Sequence, residues 1–252
     1  MNLDSRPDRW AHMQAAADAA GLALHRVAGV APDDPRYAPM LDELPDGGPL
    51  GSLGLGSLCC TLAHRQAWQA LLAHDAEWGL ILEDDLVLDT RTAAVVAELA
   101  GTRDASIPLL KIESGGDGQV TRPVGPPLPT GHQLMELRHM SPGAGAYLIH
   151  RCAAARLVDA VLHSKVPVDH FLFYPRRTRY FANERYGVLS PGLAMQDKSL
   201  QSDIAASRYR ERTIMFHASR GWHEVRQLPL MIRSVLTGWR VRKIPYGADS
   251  PR

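Results

Sequence analysis

A short apolar run tipped by three acids constrains this chain more than any other feature: Leu80-Ile81-Leu82, then Glu83-Asp84-Asp85. Apolar residues without alternation are the pattern of a strand covered on both faces, as in a mostly parallel sheet flanked by helices. In open α/β sheets, ligands sit at the carboxyl ends of the strands. If the backbone stays extended past Leu82, Glu83 and Asp85 project to one side and Asp84 to the other. Two ionised carboxylates side by side repel unless a cation lies between them or one takes a proton. Oxygen-only ligands favour Mg²⁺ or Mn²⁺ over zinc. The triplet therefore reads either as a divalent-metal site that holds phosphates or as a solvated acidic turn after a buried strand.

The chain's 252 residues suffice for one sizeable α/β domain, with or without a small appendage. A net charge of +1 implies no polyanion binder, so no nucleic-acid partner is expected. Cys59, Cys60 and Cys152 form an odd, sparse set without CxxC spacing, which points to reduced thiols in a cytosolic protein. No apolar run approaches the length of a membrane span, and the polar Asn2 and Asp4 do not fit a signal peptide.

The punctuation of the chain predicts alternating helices and strands. A helix starts near Asp4 or Ser5 as N-cap, with Pro7 in its first turn, and stops at Gly21. A strand follows over 22–30, and residues 31–54 form a long loop rich in Pro, Gly and Asp. Leu55 to Ala73 is a helix with two apolar stripes, Cys60/His64/Trp68/Leu71 and Leu58/Leu62/Leu72, as expected for a helix packed between the sheet and another layer. Further strands are expected at 107–112, 134–137, 143–149 and 186–189, with helices near 91–100, 153–163 and 166–174. Residues 113–132 read as irregular. From Arg220 to Lys243, basic and apolar residues interleave, which suits either an amphipathic helix on an anionic membrane surface or a helix packed on the domain.

Other chemistry finds little support. Gly51-Ser-Leu-Gly-Leu-Gly56 is neither GxGxxG after a strand nor a P-loop, and no serine lies in a GxSxG context. A metal-dependent phosphohydrolase would also use clustered carboxylates, but it lacks a second acidic cluster here. Cys60 and His64 stand one helical turn apart, either as a thiol–imidazole pair or as buried packing residues. Asp169 opens a short apolar helix, either as a first-turn acid or as a general base toward a hydroxyl.

Several stretches together resemble glycosyltransferase family 25. They are Asn2-Leu-Asp-Ser-Arg-Pro-Asp-Arg9, Gly56-Ser-Leu-Cys-Cys-Thr-Leu-Ala-His-Arg-Gln-Ala-Trp68, Leu80 to Leu88, Gly145-Ala-Tyr-Leu-Ile149 and Val166-Pro-Val-Asp169. The resemblance implies a GT-A-like (Rossmann-like) domain over residues 1–219, followed by a basic tail over 220–252. It implies an inverting hexosyltransferase that uses a nucleotide-sugar donor, UDP-galactose first, and Mn²⁺ (or Mg²⁺), with a lipopolysaccharide, glycan or lipid-linked acceptor. Its setting would be cytoplasmic, peripheral to the inner membrane.

Carried onto this chain, the resemblance makes Asp85 and Glu83 the metal ligands. Asn2, Leu3, Arg9, His64, Glu83 and Gln196 become donor-binding residues, and Asp169 and Asp84 the catalytic ones. Where the family usually reads Gly-Glu-Ile-Gly-Cys-x-x-Ser-His, this chain has Ser57, Cys59 and Ala63 in place of the glutamate, the second glycine and the serine. A member altered in this way could also bind nucleotide-sugar or glycan without turning it over.

Overall fold

The computed structural model describes residues 1–45, 47–48, 51–101, 106–115, 118–174, 185–200, 234 and 236–247. The chain opens with helix α1 (Pro7–Ala19), α2 (Ala38–Glu43) and a ribbon of β1 (Gly47–Gly48) and β2 (Gly51–Ser52). Next come α3 (Leu55–Ala73), β3 (Trp78–Leu82), β4 (Leu86–Leu88), α4 (Thr92–Gly101), β5 (Leu109–Lys111), β6 (Gly118–Pro123) and β7 (Gln133–Leu137). The rest is β8 (Ala146–His150), α5 (Arg151–Ala160), a 3-10 turn (Val161–His163), α6 (Val168–Phe173), β9 (Tyr186–Ser190), β10 (Ala194–Gln196) and β11 (Arg240–Lys243).

Seven strands form the main sheet in the order β11-β6-β7-β9-β5-β8-β3, and β4 pairs with β10 in a separate ribbon. The class is mixed α/β, but the expectation of a mostly parallel sheet is corrected. Among the described pairs of the main sheet only β5 with β9 is parallel, whereas β3 and β5 both run antiparallel to β8. The inference failed because an unbroken apolar run reports burial on two faces and carries nothing about strand direction. Both faces are indeed covered. On one, Ile81, Leu109, Tyr147 and Ile149 meet Trp68 and Leu71 of α3, Leu157 of α5 and Phe171 of α6. On the other, Leu82, Leu110, Ala146 and Leu148 meet Met13 of α1 and Val95 and Leu99 of α4.

α3 has the predicted span, and its two apolar stripes have different partners. Trp68 and Leu71 face the sheet, whereas Leu58 and Leu62 pack with Val30, Leu41, Leu44 and Leu53 from the segment before the helix. The region 31–54 is therefore partly structured, by α2 and the β1–β2 ribbon. Residues 22–30 make only an isolated parallel bridge, Asn2 to Ala28, instead of a strand. That bridge depends on Gly29, where an added Cβ would lie 3.0 Å from the Leu3 backbone nitrogen. At α1 the N-cap is Arg6 without a side-chain cap, so neither Asp4 nor Ser5 serves.

β6 lies in the stretch read as irregular, because Gly118 and Pro123 bound it and leave only Val120 and Thr121 as strand formers. β11 pairs with β6 at the sheet edge, and the buried Trp239 before it lies under the guanidinium groups of Arg122 and Arg138. Residues 240–243 of the expected basic tail are thus part of the sheet, while residues 220–233 and 235 lie outside the described residues. No described helix is long and apolar enough to cross a membrane.

Leu148 sits on β8, antiparallel to both of its neighbours, and is 3% exposed, whereas Leu236 is 82% exposed. Leu148→Ala is expected to cost about 2–5 kcal/mol in urea unfolding, and Leu236→Ala within about 0.5 kcal/mol. Equal losses at the two positions would contradict the three-layer core.

Candidate active site

Strand β3 ends at Leu82, and the chain bends at Asp84 and Asp85 before β4 begins at Leu86. The extended continuation assumed from sequence is therefore corrected, and the three acids turn to different neighbours. All of them line one cavity of about 420 Å³, together with Asn2, Leu3, Arg9, His64, Asp169 and Gln196. Every residue expected at the site is thus brought to the same cavity. Its volume lies within the range of small-molecule sites, roughly 300–1,000 Å³.

Asp84 turns to the N-terminal segment. Arg9 Nη1 donates to its Oδ1 at 2.9 Å, and Asn2 Nδ2 donates to its Oδ2 at 2.8 Å. Asn2 is itself held by Arg26, whose Nε and Nη2 donate to its Oδ1 at 3.0 and 2.9 Å. A carboxylate with a guanidinium on one oxygen and an amide on the other is poorly placed to accept a substrate proton. Asp84 ties Asn2 and the first turn of α1 to the strand end.

Glu83 turns to α3. His64 Nε2 lies 3.3 Å from its Oε1, and Cys60 Sγ approaches the same oxygen at 3.9 Å. Its Oε2 has no hydrogen-bond partner among the described residues. Burial alone would raise the Glu83 pKa, but the hydrogen bond from His64, with the nearby amino group of Met1, holds the carboxyl below its ordinary value.

Asp85 has the opposite balance. Its Oδ1 is buried without a hydrogen-bond partner among the described residues. Burial first, then the Glu83 charge, push its pKa up to about 7 against the relief from Arg9, with Asp84 and Glu113 adding to the rise. Asp169, at the start of α6, accepts from the backbone N–H of His170 at 2.9 Å and of Gly143 at 3.3 Å. Gln196, on β10, and the exposed Lys198 also line the cavity, and the Asp197 N–H between them donates to the Asp85 carbonyl at 2.7 Å.

Five residues to which the sequence reading gave no site role support this arrangement. Lys111 is fully buried, donates to the carbonyls of Pro142 and Gly143, and lies 3.5 Å from Glu113 Oε2. Glu113 Oε2 accepts from the Gly145 N–H at 3.0 Å, and burial raises the Glu113 pKa despite Lys111. Together they fix the 142–145 loop that forms one lip of the cavity. Gly143, at φ +88°, is required there, since a Cβ would meet the Glu113 carboxylate at 2.9 Å. Tyr147 and Trp68 continue the hydrogen bonding behind His64. The available signals were a lysine inside an otherwise apolar strand and an acid just past its end.

Residues 1–114 match the family model described as glycosyltransferase family 25 (LPS biosynthesis protein). No curated protein matches the chain.

Two outcomes follow from the charges. The Arg9–Asp84 pair is nearly buried, at 6% and 12% side-chain exposure. Asp84→Ala is expected to cost about 3–5 kcal/mol in denaturant unfolding, and adding Arg9→Met should recover part of that loss, because the guanidinium no longer lies unpaired. Asp85 gives a pH-dependent counterpart. Its folded pKa is raised from 3.8 to about 7, so the stability it contributes is full below the unfolded value and is lost as pH rises through 7. In chelator, Asp85→Asn is expected to stabilise the protein by about 1–3 kcal/mol at pH 8 and by less at pH 5. A larger gain at pH 5 would contradict the crowding of charge around Asp85.

Proposed function

From the family match over residues 1–114 and the acid-lined cavity, we propose that this protein transfers a hexose, galactose first, from a UDP-sugar to a hydroxyl of a lipopolysaccharide or related glycan, with inversion in a GT-A-like domain. The observation that carries the reading is the convergence of Glu83, Asp85 and Asp169, from two separate segments, on one cavity of about 420 Å³.

The donor set fits Mn²⁺ or Mg²⁺. Asp85 Oδ1 is buried without a hydrogen-bond partner among the described residues, and Glu83 Oε2 likewise has none, so each has a lone pair to offer a hard cation. Asp85 and Glu83 would hold that cation, which when bound neutralises charge building on the diphosphate as the sugar–phosphate bond breaks. Asn2, Leu3 and Arg9 line the nucleotide end, with Arg9 kept in place by Asp84. Lys198 and Gln196 also line the cavity, where a cation and an amide can meet phosphate or sugar oxygens.

Asp169 takes the acceptor hydroxyl's proton as that oxygen attacks the anomeric carbon. The N–H groups of Gly143 and His170 aim its carboxylate, and such a base is worth ~10²–10⁴-fold. The protein works in the cytoplasm against the inner membrane, held there by the basic residues between 220 and 243.

A second reading rests on Ser57, Cys59 and Ala63, the positions that depart from the family pattern, because all three line the same cavity. In that reading the protein binds nucleotide-sugar without transferring it. Calorimetry over a panel of nucleotide-sugars, with and without Mn²⁺, followed by product assays, separates the two. The transferase reading expects Mn²⁺-dependent binding of UDP-galactose, lost in Asp85→Ala, and transfer to a glycan acceptor. Binding without product favours the second reading, and metal-independent binding unchanged in Asp85→Ala overturns the metal assignment.

A further inference from the structure

Behind the cavity runs a buried chain of polar contacts that the proposed chemistry does not use. Trp68 Nε1 donates to Tyr147 Oη at 2.8 Å, Tyr147 Oη lies 2.8 Å from His64 Nδ1, and His64 Nε2 lies 3.3 Å from Glu83 Oε1. Trp68, Tyr147 and His64 are each 0% exposed. The imidazole also stacks on the phenol ring, with centroids 5.7 Å apart and planes 20° off parallel, and Phe173 closes the far side of that ring edge-on.

The donor inventory fixes the direction of this chain. An indole nitrogen can only donate, so Trp68 occupies one acceptor site of the Tyr147 oxygen. Burial raises the phenol's pKa well above its ordinary value, so Tyr147 keeps its proton. A buried hydroxyl left without an acceptor costs about 1–3 kcal/mol. Among the described residues, the acceptor within reach of Tyr147 is His64 Nδ1. That nitrogen must then be bare, and the imidazole proton resides on Nε2, pointing at Glu83.

We propose that the Trp68–Tyr147 pair locks His64 in its Nε2–H tautomer, making His64 a positioning residue that pins Glu83 Oε1 and leaves Oε2 to face the cavity. The lock has a second consequence. Cys60, His64 and Glu83 bring sulfur, nitrogen and oxygen ligand atoms within 4.8 Å of one another, a set suited to zinc. A proton on Nε2 removes the lone pair that zinc needs, so the relay biases the site toward oxygen-ligated cations. The effect on transfer rests on the function proposed above; the tautomer itself does not.

The test is ¹⁵N–¹H correlation spectroscopy of histidine-labelled protein in chelator at pH 8, with the His64 resonances assigned by loss in His64→Gln. Wild type is expected to show neutral His64 as the Nε2–H form. Tyr147→Phe removes the donor to Nδ1 and should populate the other tautomer; Trp68→Phe leaves that donor in place but frees an acceptor site on Tyr147, and should populate it to a smaller extent. Each variant's retained fold is checked by the rest of its amide spectrum, and either one suffices.

A neutral Nδ1–H form or an imidazolium in wild type overturns the proposal. So does tight 1:1 binding of zinc alone that is lost in Cys60→Ser. On activity, His64→Leu should raise the Mn²⁺ concentration for half-maximal transfer by about 10–100-fold, whereas His64→Gln, whose amide can still donate to Glu83, should stay near wild type. If no transfer is detected in any form, the proposed function fails while the spectra still decide the lock.

Discussion

The structure is organised around a concentration of negative charge that the interior can tolerate only if every member is compensated. Glu83, Asp85, Glu113 and Asp169 lie close enough for their charges to act on one another or on Lys111. In a partly buried setting such repulsion is far stronger than in water. The surrounding residues answer it individually. Arg9 takes Asp84, His64 takes Glu83, Lys111 sits against Glu113, and backbone N–H groups meet Asp169 and Glu113. Asp85 alone among the strand-end acids retains a buried oxygen without a hydrogen-bond partner among the described residues, and that shortfall is what a bound dication would repair.

Helix α3 couples this electrostatic arrangement to the fold. Its sheet-facing stripe supplies Trp68 to the core and His64 and Cys60 to the cavity, while its outer stripe carries the hydrophobic cluster beneath α2. A helix fixed on two sides holds its His64 against Glu83 at a set height. The same economy appears at Tyr147, whose ring is core packing on β8 and whose hydroxyl is part of the site. Core and site are therefore built from the same side chains, and a substitution at Trp68 or Tyr147 acts on both.

Much of this was legible in the sequence where a local signal was strong. The span of α3 follows from its periodicity and from the glycines before it, and the acid-tipped strand follows from its composition. The motif resemblance brought Asn2, Arg9, His64, Glu83, Asp85, Asp169 and Gln196 to one place, and the coordinates set all of them around one cavity. Strand direction was not legible, because Leu80 to Leu82 are apolar whichever way β8 runs beside them. Nor was the separation of the acid triplet: a bend at Asp84 is decided by Arg9 and Asn2, more than seventy residues away in the chain. β6 escaped notice because pairing with β7 and β11, rather than its own residues, makes it a strand. Lys111 and Glu113 lacked meaning until the 142–145 loop lay across them.

The central claim is that the end of β3 presents Asp85, with the free oxygen of Glu83, to a cation that holds a nucleotide diphosphate. Anomalous scattering from crystals grown with Mn²⁺ and UDP tests it most directly. The account predicts one manganese peak in contact with the Asp85 carboxylate, with the diphosphate on its cavity side. A peak at Cys60 and His64, or UDP bound in the cavity with no manganese near Asp85, would contradict it.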